Sequence, residues 1–265
     1  MSKYCKEENA LRYGLSVKKM RDKYIISCCP HLALGGISAI PTDNPDKKRL
    51  YASISRARSH ILELAYCNDW DYFITITFDK EKVKSRYTIS DTMGALRKWI
   101  NQRNKAGDCI KYLLVPELHA DGAIHCHGLI SGNIKTKPFK EYAPREVPEK
   151  LRKTDYHNIP LLSTRFGWCS AGHIQNAEAV SYYMSKYITK NVGSVADVLN
   201  SGAHIYYASQ GLKKAEKIGV FHKDTKDACA SIPWTWRDDT TGQASITLKS
   251  LEDVKNILYD WEIIK

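Results

Sequence analysis

Residues 111–130 constrain the fold of this chain more than any other stretch. Residues 111–117 and 123–130 read as strands, and Asp121-Gly122 between them marks a tight turn. Strands joined so closely pair antiparallel. Tyr72-Phe-Ile-Thr-Ile-Thr-Phe78 is a third strand, rich in aromatic and β-branched residues. Its alternation puts Thr75 and Thr77 on one face and Ile74, Ile76 and Phe78 on the other. Residues 166–174 form a further strand, and 204–209 a short one.

Helical spacing appears between these strands. Leu50, Ile54, Ala57, Ile61, Leu64 and Ala65 recur at helical intervals over 46–66, and Met93, Leu96, Trp99 and Ile100 over 89–104. Residues 176–190 make a third helix, capped by Asn176 or a neighbour and followed by Gly193, and 250–260 a last one. The order predicts an α+β fold: a central antiparallel, RRM-like sheet of about five strands flanked by helices. One domain is expected over 46–210, with a basic insertion at 132–165. Residues 1–45 read as an irregular basic extension and 211–265 as a C-terminal tail, mostly irregular over 222–249, with a terminal helix.

The chain has 265 residues and a formal charge of +11, with a pI of about 9.1. That balance favours a polyanionic partner, because lysines and arginines that neutralise phosphates release counterions. No apolar run is long enough to cross a bilayer, and the first residues carry no signal-peptide pattern, so no membrane role and a cytoplasmic location are expected. The eight cysteines show no framework spacing and are expected to be reduced. Cys5, Cys28, Cys29 and His31 could hold zinc, although adjacent cysteines seldom ligate one ion together.

The chemistry concentrates in Val115-Pro-Glu-Leu-His-Ala-Asp-Gly-Ala-Ile-His-Cys-His-Gly128. His125 and His127 are two apart on a strand, so both imidazoles leave one face, roughly 6–7 Å apart. Neutral imidazoles at that separation can share one divalent ion. Cys126 faces the other way, into the core, and Gly128 permits close backbone approach. Glu117 reaches the histidine face only with an odd loop length, as with a three-residue loop holding Gly122 at positive φ. A two-residue turn would pair Leu118 with His125 instead. His119 is an alternative ligand. The bland alternative is a polar strand surface.

Ser181-Tyr-Tyr-Met-Ser-Lys-Tyr-Ile-Thr-Lys190 carries a second signal. Tyr183 and Tyr187 stand four apart, one above the other on a helix, and Lys186 and Lys190 share their arc. A phenol ionises near pH 10, and a nearby ammonium stabilises the phenolate that attacks phosphorus. Tyr182 points elsewhere and reads as packing. A buried tyrosine stripe with snorkelling lysines is the structural alternative.

Together these motifs resemble the HUH endonucleases, specifically the replication-initiation proteins of rolling-circle phages and plasmids. His125-Cys126-His127 looks like their His-hydrophobic-His motif. Glu117 stands where they often place an acidic ligand, residues 73–78 resemble their first strand motif, and residues 183–190 resemble their two-tyrosine motif. The resemblance spans roughly residues 70–190. It implies Mg²⁺ or Mn²⁺ on His125, His127 and Glu117, attack by Tyr183 or Tyr187 aided by Lys186 and Lys190, and a 5′-phosphotyrosine intermediate. It further implies single-stranded or hairpin origin DNA as substrate, with host helicase and polymerase as partners. No Gly-x4-Gly-Lys-Ser/Thr helicase signature occurs. The rival readings are a relaxase- or transposase-like member of the same superfamily, and a non-catalytic nucleic-acid binder on an RRM-like sheet.

Overall fold

The computed structural model describes residues 13–29, 45–141, 147–187, 204–223, 233–238 and 243–260. In chain order the strands are β1 (Tyr13–Met20), β2 (Lys23–Cys29), β3 (Tyr72–Phe78), β4 (Lys111–Leu118), β5 (Ile124–Ser131), β6 (Lys137–Pro138), β7 (His157–Asn158), β8 (Gly167–His173), β9 (Tyr207–Ala208), β10 (Glu216–Lys223), β11 (Trp236–Asp238) and β12 (Gln243–Leu248). The helices are α1 (Pro45–Cys67), α2 (Ala95–Lys105), α3 (Glu149–Arg152), α4 (Pro160–Phe166), α5 (Ala177–Tyr187) and α6 (Leu251–Asp260).

The chain divides into two compact units. One comprises residues 57–213, and the other combines 1–56 with 214–265. The first holds a sheet in the order β6-β7-β8-β3-β5-β4-β9, every pair antiparallel. Its centre is the four long strands β8, β3, β5 and β4. Two-residue strands extend it to seven, beyond the five expected.

Alternation along β3 decides which face is dry. Ile74, Ile76 and Phe78 are each at most 1% exposed and pack with Met93, Leu96 and Ile100, so this face is the core. The helix expected over 89–104 is one π-turn, Ser90–Gly94, leading into α2. Cys126 lies in the same core, where burial pushes its thiol far above the usual range. A protonated buried thiol is no metal ligand, as its place in the strand alternation predicts. Gly128 has no room for more than hydrogen: a Cβ there would stand 2.5 Å from the Leu113 carbonyl oxygen.

The second unit corrects the expectation of irregular ends. β1 and β2 form a hairpin, β10 pairs with β1, and β12 pairs with β2, giving the order β10-β1-β2-β12-β11. Leu15, Val17, Ile26, Cys28, Ala244 and Ile246 face Val254 and Leu258 of α6. Lysines interrupt the apolar alternation of β1, and its partner β10 lies some two hundred residues away, which hid the strand. Cys28 is a buried free thiol in that cluster, not a zinc ligand; Cys5 and His31 lie outside the described residues.

Candidate active site

The β4–β5 hairpin settles which way Glu117 faces. Glu117 pairs with His125 and Leu118 with Ile124. The His119 amide then donates to the Ala123 carbonyl at 2.8 Å, leaving Ala120, Asp121 and Gly122 as a three-residue loop. Gly122 takes φ +80°, the left-handed value such a loop needs at that position. Asp121 accepts the Ala123 amide at 3.0 Å and binds Arg86 at 2.9 Å. That amide bond, followed by the Arg86 cation, holds the Asp121 carboxyl below its usual range. Directly paired residues of an antiparallel sheet share a face, so Glu117, His125 and His127 lie together.

Cross-strand pairing lays out the rest of this face in rows. Glu117, His125, Thr77 and Trp168 form one row, and Val115, His127, Thr75 and Ser170 the next. Leu113, Leu129, Phe73 and Gly172 form the third. Val115, Leu113 and Leu129 are buried, whereas the threonines, Trp168 and Ser170 are half-buried.

Each histidine is held from behind by a hydroxyl. Thr75 Oγ1 lies 3.0 Å from His127 Nδ1, and Thr77 Oγ1 lies 3.5 Å from His125 Nδ1. A hydroxyl both donates and accepts, so it can fix either imidazole tautomer. His127 Nε2 lies 2.7 Å from Glu117 Oε2, with 12% of the histidine side chain and 38% of the glutamate exposed. The His119 ring stacks on His125 at 4.7 Å. Burial first, then the neighbouring His119 and His127, lowers the His125 pKa, which keeps that imidazole neutral at neutral pH.

Two imidazoles and a carboxylate suit a borderline or hard divalent cation. The histidines' outer nitrogens are anchored, as metal-bound histidines commonly are. Here Glu117 itself takes up His127 Nε2. Among the described residues, no three His, Cys, Asp or Glu side chains converge as a ready ligand group. A cation would therefore enter by drawing Glu117 off His127.

α5 brings the tyrosine. Asn176 caps it, its Oδ1 accepting the Ala179 amide at 2.9 Å. Ser181, Met184 and Ser185 are buried, and Tyr183 is 44% exposed. The Tyr183 ring meets Phe73 edge-on at 5.4 Å, and Phe73 also stacks against His127 at 6.3 Å. Phe73 thus joins the tyrosine helix to the histidine face. Tyr187 and Lys186 belong to the last turn of α5, but their side chains, and Lys190 altogether, lie outside the described residues.

Several residues of this face went unnoticed in the sequence. Period two from Thr75 also yields Phe73. Trp168 stacks on Phe139 at 5.2 Å, and the Tyr156 ring lies over Gly172, 3.0 Å from where a Cβ would stand. Tyr156 is 39% exposed. Their strand, β8, was legible, but its register against β3 was not. The aromatic insertion residues also weaken one argument against a plain nucleic-acid binder, since this face is not bare of stacking surfaces.

No helix among the described residues is long and apolar enough to cross a membrane. No curated protein and no solved structure matches the chain. One family model does, and its match is consistent with a protein of rolling-circle DNA replication. Residues 71–192, which carry the histidine pair, Glu117 and the tyrosine helix, match the family described as Replication-associated protein ORF2.

Proposed function

We propose that the chain is an HUH-type nicking–joining endonuclease that initiates rolling-circle replication, cutting single-stranded DNA through a tyrosine. The observation that carries this is the hydroxyl-backed pair His125 and His127 beside Glu117, with Tyr183 reached through Phe73 on the same face.

His125, His127 and Glu117 would hold Mg²⁺ or Mn²⁺, which supplies charge neutralisation and polarisation of the scissile phosphate. Thr75 and Thr77 orient the two imidazoles, leaving each Nε2 to face the ion. The lowered pKa of His125 keeps its lone pair available. Tyr183 then loses its phenolic proton and its oxygen attacks phosphorus. The Tyr–O–P bond forms as the P–O3′ bond breaks, and the departing 3′ oxygen takes a proton. The free 3′-hydroxyl primes synthesis by a host polymerase, with a host helicase opening the duplex. Tyr187, one turn further along α5, is the second nucleophile, and Lys186 and Lys190 stabilise phenolate or phosphate. Two tyrosines allow a second cut while the first end remains attached.

The test is covalent capture. A random-sequence single-stranded pool labelled at its 3′ ends, incubated with the full chain and Mn²⁺, should yield a labelled adduct that survives denaturing electrophoresis. EDTA and His127→Ala should each abolish it. Tyr183→Phe and Tyr187→Phe should each leave some adduct, and the double variant none. A pool that is bound and never captured would leave the non-catalytic reading standing.

A further inference from the structure

The β1–β2 hairpin in the second unit breaks two local rules of stability, both in favour of positive charge. Met20 pairs with Lys23, so the turn is the two residues Arg21 and Asp22. Arg21 sits at φ +52°, where such turns ordinarily take glycine or asparagine and where an arginine is strained. Next along the ladder, Lys18 of β1 stands directly opposite Lys217 of β10. Like charges so opposed destabilise a sheet. The register shifts beside this pair, between Val17 and Lys18, where β10 carries the 44% exposed Ile218.

Lys18, Lys19, Arg21, Lys23 and Lys217 thus gather at one end of the sheet, against the carboxylates of Asp22 and Glu216. Lys19, Arg21 and Lys217 are exposed. Where a sequence gives up local stability, a functional site is the expected reason.

We infer that this hairpin tip is a second nucleic-acid contact that grips the phosphate backbone of duplex DNA. The aromatic residue at this end, Tyr24, packs into the apolar cluster under α6, so it offers no face for an unpaired base. Single-strand sites combine cations with stacking aromatics, whereas cations alone suit the regular phosphates of a duplex. A two-stranded ribbon also fits the width of the major groove. The contact is independent of cleavage.

Binding of the full chain to a short duplex of arbitrary sequence, followed by fluorescence anisotropy over a range of KCl concentrations, tests this. Arg21→Gly should melt at or above the wild-type temperature, because glycine accepts the turn. It should nonetheless bind more weakly, with the slope of log K against log salt reduced by about 0.9 for the lost phosphate contact. Arg21→Lys should restore the slope. His127→Ala should leave the duplex slope unchanged, which separates this contact from the cleavage site. An unchanged slope in Arg21→Gly overturns the inference, and so does an equal loss on a single strand of the same sequence.

Discussion

At the scale of single residues, the candidate site depends on two hydroxyls that no ligand motif includes. Thr75 Oγ1, 3.0 Å from His127 Nδ1, fixes the ring plane and leaves Nε2 to the front. Groups in that supporting role typically matter 10- to 100-fold for metal affinity. Thr75→Val keeps the shape and removes the hydroxyl, so Mn²⁺ affinity, measured calorimetrically, should fall within roughly that range. Thr75→Ser should keep most of it. Gly128 makes a different kind of prediction. Its missing Cβ would collide with the Leu113 carbonyl and the Leu114 side chain, neither of which can yield without moving β4. Gly128→Ala should therefore cost about 1–3 kcal/mol, read as a lower midpoint in urea. Both histidines were legible from period two alone. The threonines' service to them was not, because it needs the pairing of β3 with β5, which no local pattern encodes.

At the scale of elements, what could be read depended on whether the signal was local. The cap of α5 was: Asn176 accepts the Ala179 amide at 2.9 Å. Asn176→Ala should destabilise the protein by about 1 kcal/mol in denaturant unfolding, while Asn176→Asp keeps the acceptor and most of the stability. If α5 presents the nucleophile, Asn176→Ala should also slow adduct formation. The β4–β5 hairpin was legible only as a fork. Asp121-Gly122 announced a turn, yet loop length decides whether Glu117 or Leu118 stands opposite His125, and one residue reverses every side chain. The three-residue loop with Gly122 at φ +80° resolves it toward Glu117. Strands β1, β10 and β12 were missed because their apolar positions alternate with lysine and serine, which reads as polar loop until a partner strand is known.

At the scale of the whole molecule, the ends of the chain behave as one piece. β1 is flanked by β2 and β10, β2 by β12, and α6 covers Leu15, Val17, Ile26 and Cys28. Each terminus therefore supplies half of one apolar cluster. Removing residues 214–265 alone should strip β10, β12 and α6 from the β1–β2 hairpin, leaving those four side chains and two sheet edges bare. Such surfaces pair with other molecules and aggregate. Removing residues 1–44 alone should equally expose Ala244, Ile246, Val254 and Leu258. Removing both should remove the unit altogether and leave the 57–213 sheet with its own core, Ile74 through Met93 to Phe166, intact. The double truncation is thus expected to be more soluble than either single one, an order opposite to that of chain length removed. Soluble yield and the cooperativity of thermal unfolding would show it. Two well-behaved single truncations would mean that the terminal strands contribute little to each other. The double truncation should also retain adduct formation on single strands while losing the salt-dependent grip on duplex assigned to Arg21 and its lysines.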